Sequence, residues 1–150
     1  MTEGKPGTTF RQATSADADF IYRVVEATMR AYVEQIWGSF SEEYNRKNIA
    51  ATIAAANYAI IQLKGEDIGA ISVERHPTHV QLAQLYILPA HQNRGIGTSI
   101  LRDLLREGKQ TRKPVRLRIL AVNPVRGLYE REGFRITSTT PERIFMEFQP

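Results

Sequence analysis

The spacing of apolar positions changes several times along the chain, and each change predicts a new element. From position 21 to position 36 apolar side chains recur at intervals of three and four, as on one face of a helix. Ser15 is a candidate N-cap for this helix, Asp17 and Asp19 fall in its first turn, and Gly38 is a plausible stop. A second helix is predicted from Ser41 to the alanines before residue 57.

Short runs rich in β-branched or aromatic side chains predict strands. These runs lie at residues 8–12, 58–63, 68–74, 80–88, 115–122, 134–139 and 143–148. Residues 64–67 read as a hairpin turn, and Pro89 should end the fourth strand because it has no amide hydrogen to donate. In the fifth run Val115 and Leu117 alternate with Arg116 and Arg118, so one of its faces is wetter.

Two further helices follow the fourth and fifth strands. Apolar positions from Ile96 to Leu105 form one stripe, and Gly108 can close that helix. Pro124 suits the first position of a short helix that Gly133 ends. The predicted fold class is therefore α/β (α+β), with a mixed sheet flanked by helices.

Length and composition predict one folded domain. The chain has 150 residues, 42% of them hydrophobic and 24% charged, which suits a single globular unit at residues 8–150 after a tail at residues 1–7. No run approaches the roughly 18 apolar residues of a membrane span, and the first residues lack the apolar core of a signal peptide. We therefore expect a cytoplasmic protein that is a monomer or homodimer, with no membrane partner.

Charge and cysteine content narrow the chemistry. The chain has no cysteine, which excludes an enzyme thiol as acyl carrier. Its net charge of +4 suits an anionic ligand, but the basic residues are dispersed, so we expect no nucleic-acid partner. His76 and His79 share a turn while His91 lies in another loop, and no metal site is predicted.

A strand that runs through a glycine-containing turn into a helix is the most informative feature. The first amides of a helix have no partner within it and attract phosphate, and Gly95 and Gly97 would allow close approach. On this spacing alone, the glycines could equally make a tight turn. The turn lacks the third glycine of a dinucleotide fingerprint and the Lys-Ser/Thr ending of a phosphate-binding loop. Another phosphate-bearing cofactor is favoured.

Two segments resemble the GCN5-related N-acetyltransferase (GNAT) family. Residues 92–97, Gln-Asn-Arg-Gly-Ile-Gly, match its motif Arg/Gln-x-x-Gly-x-Gly/Ala. Residues 123–134 look like the segment after its fifth strand, with Tyr129 four residues before a Gly-Phe pair. The order of elements agrees over residues 8–148. The resemblance implies a mostly antiparallel sheet of six to seven strands, splayed between the fourth and fifth.

The resemblance further implies acetyl-coenzyme A as the cofactor. Backbone groups of Tyr86, Ile87 and Leu88 would bind the pantetheine arm and thioester, amides from Asn93 to Thr98 the pyrophosphate, and Asn123 the arm. The implied cofactor residues are Tyr86, Ile87, Leu88, Gln92, Asn93, Arg94, Gly95, Ile96, Gly97, Thr98, Asn123 and Arg126.

The expected reaction is direct attack of an amine on the thioester in a ternary complex. Tyr129 matches the family position of the acid that meets the leaving thiolate; packing of its ring is the alternative. Several family members carry a glutamate on the fourth strand where this chain has Gln81 and Gln84. The base stays open, with Glu74 and Glu34 as candidates besides Glu26.

The acceptor site is expected at the end of the first helix. Tyr32, Glu34 and Trp37 would bind it there, and an acid beside aromatic rings would suit a cationic amine. Tyr32 and Trp37 could instead pack in the core. An amino acid, a polyamine, an antibiotic and a protein amine all remain possible acceptors. The alternative function is a non-catalytic module that binds acyl-coenzyme A.

Overall fold

The computed structural model describes residues 7–150, which form one seven-stranded sheet packed with helices. The strands are β1 (Thr8–Gln12), β2 (Tyr58–Leu63), β3 (Glu66–Arg75), β4 (Val80–Ile87), β5 (Val115–Leu120), β6 (Arg135–Thr139) and β7 (Arg143–Phe148). The helices are α1 (Ala18–Trp37), α2 (Glu42–Ala54), α3 (Ile96–Thr111) and α4 (Arg126–Arg131). Short 3-10 turns occupy Ser15–Asp17 and Pro89–His91. The predicted fold class is confirmed.

The sheet order is β1-β2-β3-β4-β5-β7-β6, and the central pair differs from all others. Every neighbouring pair is antiparallel except β4 and β5, which are parallel. Those two strands pair only at Val80 with Val115 and at Gln81 with Arg116. Beyond these positions they diverge, as the family resemblance implied.

Each face of the sheet has its own apolar core. On one face, α3 packs its buried stripe onto Val115, Leu117 and Ile119 of β5, and Tyr129 of α4 joins the same cluster. On the other face, α1 and α2 cover β2 and β3, with Tyr58 in that second cluster. Since side chains alternate along a strand, the intervening residues of β5 point toward the α1/α2 face.

Some predicted boundaries need correction. Thr14, and not Ser15, is the N-cap of the 3-10 turn that leads into α1, and its amide donates to Asp17 Oδ2 at 2.8 Å. The tail prediction included Gly7, whose carbonyl oxygen accepts from the Lys64 amide at 3.0 Å. The remainder of the predicted tail, residues 1–6, lies outside the described residues.

Two helix ends also differ from the prediction. Gly108 does not close α3, which continues to Thr111 and ends at Arg112 with a φ of 56°. Gly108 is instead buried, and a Cβ atom there would lie 2.9 Å from Cγ2 of Val115. Pro124 precedes α4 and is not part of it, because the helix begins at Arg126. No helix within residues 7–150 has the length and hydropathy needed to cross a bilayer.

Candidate active site

A cavity of about 920 Å³ lies where β4 and β5 diverge. Its walls come from both strands, the end of α1, the start of α2, the N-terminus of α3 and the region of α4. The predicted site residues that line it are Tyr32, Trp37, Tyr86, Ile87, Gln92, Asn93, Gly95, Ile96, Gly97, Thr98, Asn123 and Tyr129. Leu88, Arg94, Arg126, Glu34 and Glu74 are not among its lining residues.

The N-terminus of α3 presents free amides to this cavity. Gly95 is its N-cap with a φ of 78°, and its carbonyl oxygen accepts from Ser99 at 3.0 Å, the first hydrogen bond of the helix. The amides of Ile96, Gly97 and Thr98 therefore have no partner inside the helix and carry its positive dipole end. This arrangement suits a phosphate group.

Gly97 is required by neither packing nor strain. A Cβ atom there would meet only Cδ1 of Ile87, at 3.6 Å, which is an ordinary contact. A larger side chain at this position would instead occupy space beside the free amides. The absence of a side chain at position 97 therefore suits a bound anion better than a tight turn alone.

The Gln92 side chain holds the turn against the end of β4. Its Nε2 atom donates to the carbonyl oxygen of Ile87 at 2.8 Å. The next residue, Asn93, has a φ of 62°, in the left-handed region where asparagine is better tolerated than most side chains. Gln92 thus positions the amides, a role that its place in the motif did not reveal.

The hydrogen bonds of β4 correct two predicted backbone contacts. The Leu88 amide donates to the Ile68 carbonyl oxygen at 2.8 Å. A Cβ atom on Gly69 would lie 2.3 Å from the carbonyl oxygen of Tyr86, so that oxygen also points toward β3. Peptide groups alternate in direction along an antiparallel strand. Hence Ile87 and Leu85 direct their peptide groups toward the gap between β4 and β5. Tyr86 and Leu88 direct theirs toward β3.

Tyr129 lies on α4 and is buried, with its ring packed edge-on against Phe134 at 5.5 Å between centroids. Burial raises the pKa of Tyr129 to about 12. Its hydroxyl therefore keeps its proton at neutral pH and acts there as a donor. Burial and the neighbouring Tyr129 likewise raise the pKa of Tyr86 to about 12. Packing and a place in the cavity wall are thus combined in Tyr129.

Asn123 fixes the entry to α4, while Arg126 turns away from the cavity. The Asn123 Oδ1 atom accepts from the Val125 amide at 3.0 Å, leaving the amide nitrogen of its side chain without a partner in residues 7–150. Arg126 pairs with Glu130 at 3.4 Å on the helix surface. Arg94 is exposed. Neither of these arginines, which the family resemblance implied as cofactor residues, lines the cavity.

The candidate bases are separated by the fold. Glu34 and Glu26 both pair with Arg30 along α1, and neither lines the cavity. Glu74 borders a second cavity of about 680 Å³ and lies 3.0 Å from His76 Nε2. Gln84 lines both cavities. Of the three candidate bases, only Glu74 borders a cavity that shares a lining residue, Gln84, with the first cavity.

Three basic side chains of the cavity wall were not among the predicted site residues. No aspartate or glutamate lines the first cavity within the described chain, whereas Arg118, Arg131 and Arg143 do. Glu34, predicted to bind the acceptor, is not among the residues that line this cavity. The alternating arginines of β5 were a visible signal, but only the fold shows which face they line.

The chain matches the acetyltransferase (GNAT) domain over residues 50–136. It belongs to the GNAT acetyltransferase family. This membership confirms the family that the sequence motifs resemble and assigns the cleft between β4 and β5 to an acetyltransferase domain. A search of curated proteins finds no match to the chain.

Solved structures share this GNAT fold over nearly the whole chain. A PaiA N-acetyltransferase from Thermoplasma acidophilum, in complex with coenzyme A, is 19% identical with a TM-score of 0.72, covering 95% of this chain and 99% of the other. An acetyltransferase from Thermus thermophilus is 17% identical with a TM-score of 0.76, covering 95% and 97%. Arabidopsis thaliana Naa50, in complex with the bisubstrate analogue CoA-Ac-MVNAL, is 16% identical with a TM-score of 0.69, covering 96% and 99%. Two of these three structures thus hold coenzyme A or an analogue, in agreement with the predicted cofactor.

Proposed function

We propose that the protein transfers an acetyl group from acetyl-coenzyme A to an amine by direct attack within a ternary complex. The observation that carries this proposal is a single cavity lined both by the free amides of α3 and by the buried hydroxyl-bearing residue Tyr129. Membership of the acetyltransferase family supports the same reaction class. The chain has no cysteine to carry the acetyl group covalently.

The residues around the cleft fit the parts of this cofactor. The amides of Ile96, Gly97 and Thr98 would hold the pyrophosphate. Ile87 presents its amide to the splayed edge for an extended arm, and Asn123 offers its side-chain amide nitrogen nearby. When bound, acetyl-coenzyme A supplies an acetyl thioester whose sulfur leaves as a thiolate. The remaining chemistry falls to the side chains.

Tyr129 is proposed to donate a hydrogen bond to that departing thiolate. Its pKa of about 12 exceeds the roughly 8.5 of a reference thiol, so complete proton transfer from the tyrosine is uphill by about 5 kcal/mol. A hydrogen bond to the developing negative charge requires no such transfer and is strongest in the transition state. Tyr129 therefore acts as a donor that keeps its proton.

Glu74 is the proposed acceptor of the amine proton, reached through water. It shares the second cavity with Gln84, which also borders the cleft, so a polar path joins the two. Glutamine itself cannot take a proton at neutral pH. Glu74→Gln should lower kcat at least tenfold, an effect typical of a lost general base. Glu43→Gln on the surface of α2 is the control and should keep normal turnover.

A non-catalytic coenzyme A module is the second candidate. It is favoured by one observation, namely that Gln84 stands on β4 where several family members carry a glutamate. Calorimetry with acetyl-coenzyme A, followed by thiol-release assays with a panel of amines, distinguishes the two functions. Binding with release in the presence of at least one amine supports the enzyme; binding without release from any amine supports the module.

A further inference from the structure

The wall of the cleft carries positive charge on the side opposite the N-terminus of α3. Arg118 lies on β5, and Arg143 lies on β7 opposite Leu120. The alternation of β5 places both arginines on the α1/α2 face of the sheet, because Val115, Leu117 and Ile119 pack against α3 on the other face. The free amides of α3 belong to that other face. Neither arginine is thus placed to serve the phosphates.

Arg118 is the unpaired member of its neighbourhood. Arg116, two residues earlier, pairs with Glu147 at 2.7 Å, and Glu74 lies 3.0 Å from His76 Nε2. Arg118 itself makes no hydrogen bond or ion pair within residues 7–150, yet it lines both cavities. A guanidinium in this setting has five N–H donors in a planar fork that matches a carboxylate.

Arg143 and its aromatic neighbours extend this wall to the mouth of the cleft. The Arg143 guanidinium lies over the Trp37 ring at 5.3 Å. Trp37 is 47% exposed and Tyr44 is 68% exposed, although both rings line the cavity. Exposed aromatic rings beside a guanidinium offer an apolar contact for the body of a ligand whose anionic group reaches the arginines.

A row of buried polar groups crosses β2, β3 and β4 on the same face, with Tyr58 and Gln84 lining the first cavity and Ser72 and Gln84 the second. Tyr58, Ser72 and Gln84 are direct cross-strand neighbours on β2, β3 and β4. The Tyr58 hydroxyl, the Ser72 hydroxyl and the Gln84 Oε1 atom are all buried, and each lacks a hydrogen-bond partner among the described residues. Tyr58 and Ser72 are 2% and 1% exposed. Buried polar groups are rarely left unpaired in native proteins, so three in a row indicate a polar ligand or its waters.

We propose that the acceptor is an aminocarboxylate, a small molecule with an amine and a carboxylate, whose carboxylate binds Arg118 and Arg143. This inference rests on the proposed function and specifies its second substrate. The neutral row of Tyr58, Ser72 and Gln84 takes the amine side, from which the second cavity leads to Glu74. The arrangement replaces the cationic acceptor that the aromatic cluster and Glu34 had predicted.

Matched pairs of amines isolate the carboxylate. Thiol release from acetyl-coenzyme A is measured with phenylalanine and phenethylamine, lysine and cadaverine, and histidine and histamine, with rates expressed per neutral amine. In the pair that reacts fastest, the amino acid should have a kcat/KM at least about tenfold higher, since a charge-assisted hydrogen bond is worth that much or more. Equal or better use of the decarboxylated amine in every pair would overturn the proposal.

Substitution of Arg118 provides a second test of the carboxylate site. Arg118→Gln should raise KM for the amino acid and remove at least about nine-tenths of the preference, while the paired amine is unaffected. Arg23→Gln, on the exposed side of α1, is the matched control and should keep the preference. A preference that survives Arg118→Gln at full size contradicts the assignment.

Product binding separates this inference from the proposed function. Calorimetry compares N-acetylphenylalanine with N-phenethylacetamide on the coenzyme A-loaded protein. Tighter binding of the carboxylate compound, lost in Arg118→Gln, supports the anion site even if no amine is turned over. Turnover without any carboxylate preference leaves acetyl transfer standing and overturns the anion site, as does equal binding of the two products.

Discussion

The two edges of strand β4 differ in how completely they are paired. Along β3, the ladder runs from Val80 to Ile87, whereas along β5 it stops after Gln81. The other edge of β5 is held by β7 over its whole length, from Val115 to Leu120. The closed edge holds β4 in place, and the open edge leaves peptide groups of Leu85 and Ile87 directed at the cleft.

The difference shows where the fold makes a site available. A buried backbone amide needs a partner, and sheets normally supply it from the next strand. In the splayed region of this protein the next strand is missing, and the cavity takes its place. Under the proposed function, stability and cofactor binding depend on opposite edges of the same strand, which separate substitutions can test.

The largest effect is expected from adding a side chain at Gly69, where β3 pairs with β4. A Cβ atom at Gly69 would lie 2.3 Å from the Tyr86 carbonyl oxygen, so Gly69→Val must push β3 and β4 apart. We expect a loss of about 3–5 kcal/mol in the free energy of unfolding, measured by urea titration. Gly127→Ala is the control, since its nearest neighbour is the flexible end of Arg131 at 3.3 Å, and it should change stability by less than about 1 kcal/mol.

In the cavity beside the open edge, the next largest effect should come from Tyr129 on α4. Tyr129→Phe removes the hydroxyl and keeps the ring packed on Phe134, so kcat should fall about 100-fold, or roughly 2.7 kcal/mol in the barrier. Coenzyme A affinity, measured by calorimetry, should change little. Tyr44→Phe is the exposed control. Unchanged kcat with every active amine would remove Tyr129 from the mechanism.

The pH dependence of the same reaction sharpens the role of Tyr129. Burial raises its pKa to about 12, and the protonated hydroxyl is the form that donates. Turnover should therefore show no alkaline decline from this tyrosine between pH 7 and about pH 10, the usual pKa of a phenol. A decline near pH 8 to 9 that disappears in Tyr129→Phe would contradict the assigned proton state.

A smaller effect is expected from a substitution at Gly97, in the first turn of α3. Gly97→Val adds a side chain that meets only Ile87 in the protein and projects beside the free amides. Coenzyme A should bind about tenfold more weakly, roughly 1.4 kcal/mol, because the phosphate cannot approach as closely. The melting temperature without ligand should stay near that of the unaltered protein. Normal affinity by calorimetry would mean that the phosphate binds elsewhere.

The smallest effect on the site should come from β1, at the far end of the sheet from the cleft. Arg11 holds Asp17 with hydrogen bonds of 2.8 and 3.0 Å, which keep the pKa of Asp17 below its usual value. A depressed carboxylate pKa stabilises the fold above about pH 4 and loses that contribution as pH falls through the folded-state pKa. Asp17→Asn should cost about 1–3 kcal/mol at pH 7, with the difference shrinking as the pH falls below about 4. Coenzyme A affinity should not change.

Local chemistry explains why much of the fold was predictable. The β2–β3 hairpin turns at Lys64 and Gly65, which have φ values of 52° and 85°, as in the tight turns that favour glycine. Ser41 caps α2 through its side chain, which accepts from the Tyr44 amide at 3.0 Å. These signals act within a few residues, so they can be read from the sequence directly.

Features that depend on distant contacts were not predictable in the same way. Gly108 looked like a helix stop, but it is a close-packing position against Val115 on the next strand. Glu34 looked available to an acceptor, yet Arg30 one turn away pairs with it. The convergence of Arg118 and Arg143 on one face follows from the pairing of β5 with β7, which no local pattern contains.

Amide hydrogen exchange of β4 tests the central claim most directly. Residue-resolved exchange is compared with and without coenzyme A. We predict that the amides of Ile87, Gly97 and Thr98 gain protection on binding, while those of Tyr86 and Leu88, which face β3, stay as they were. Protection that appears instead on the β3-facing amides, or no change along residues 85–98, would contradict a cofactor site at the open edge.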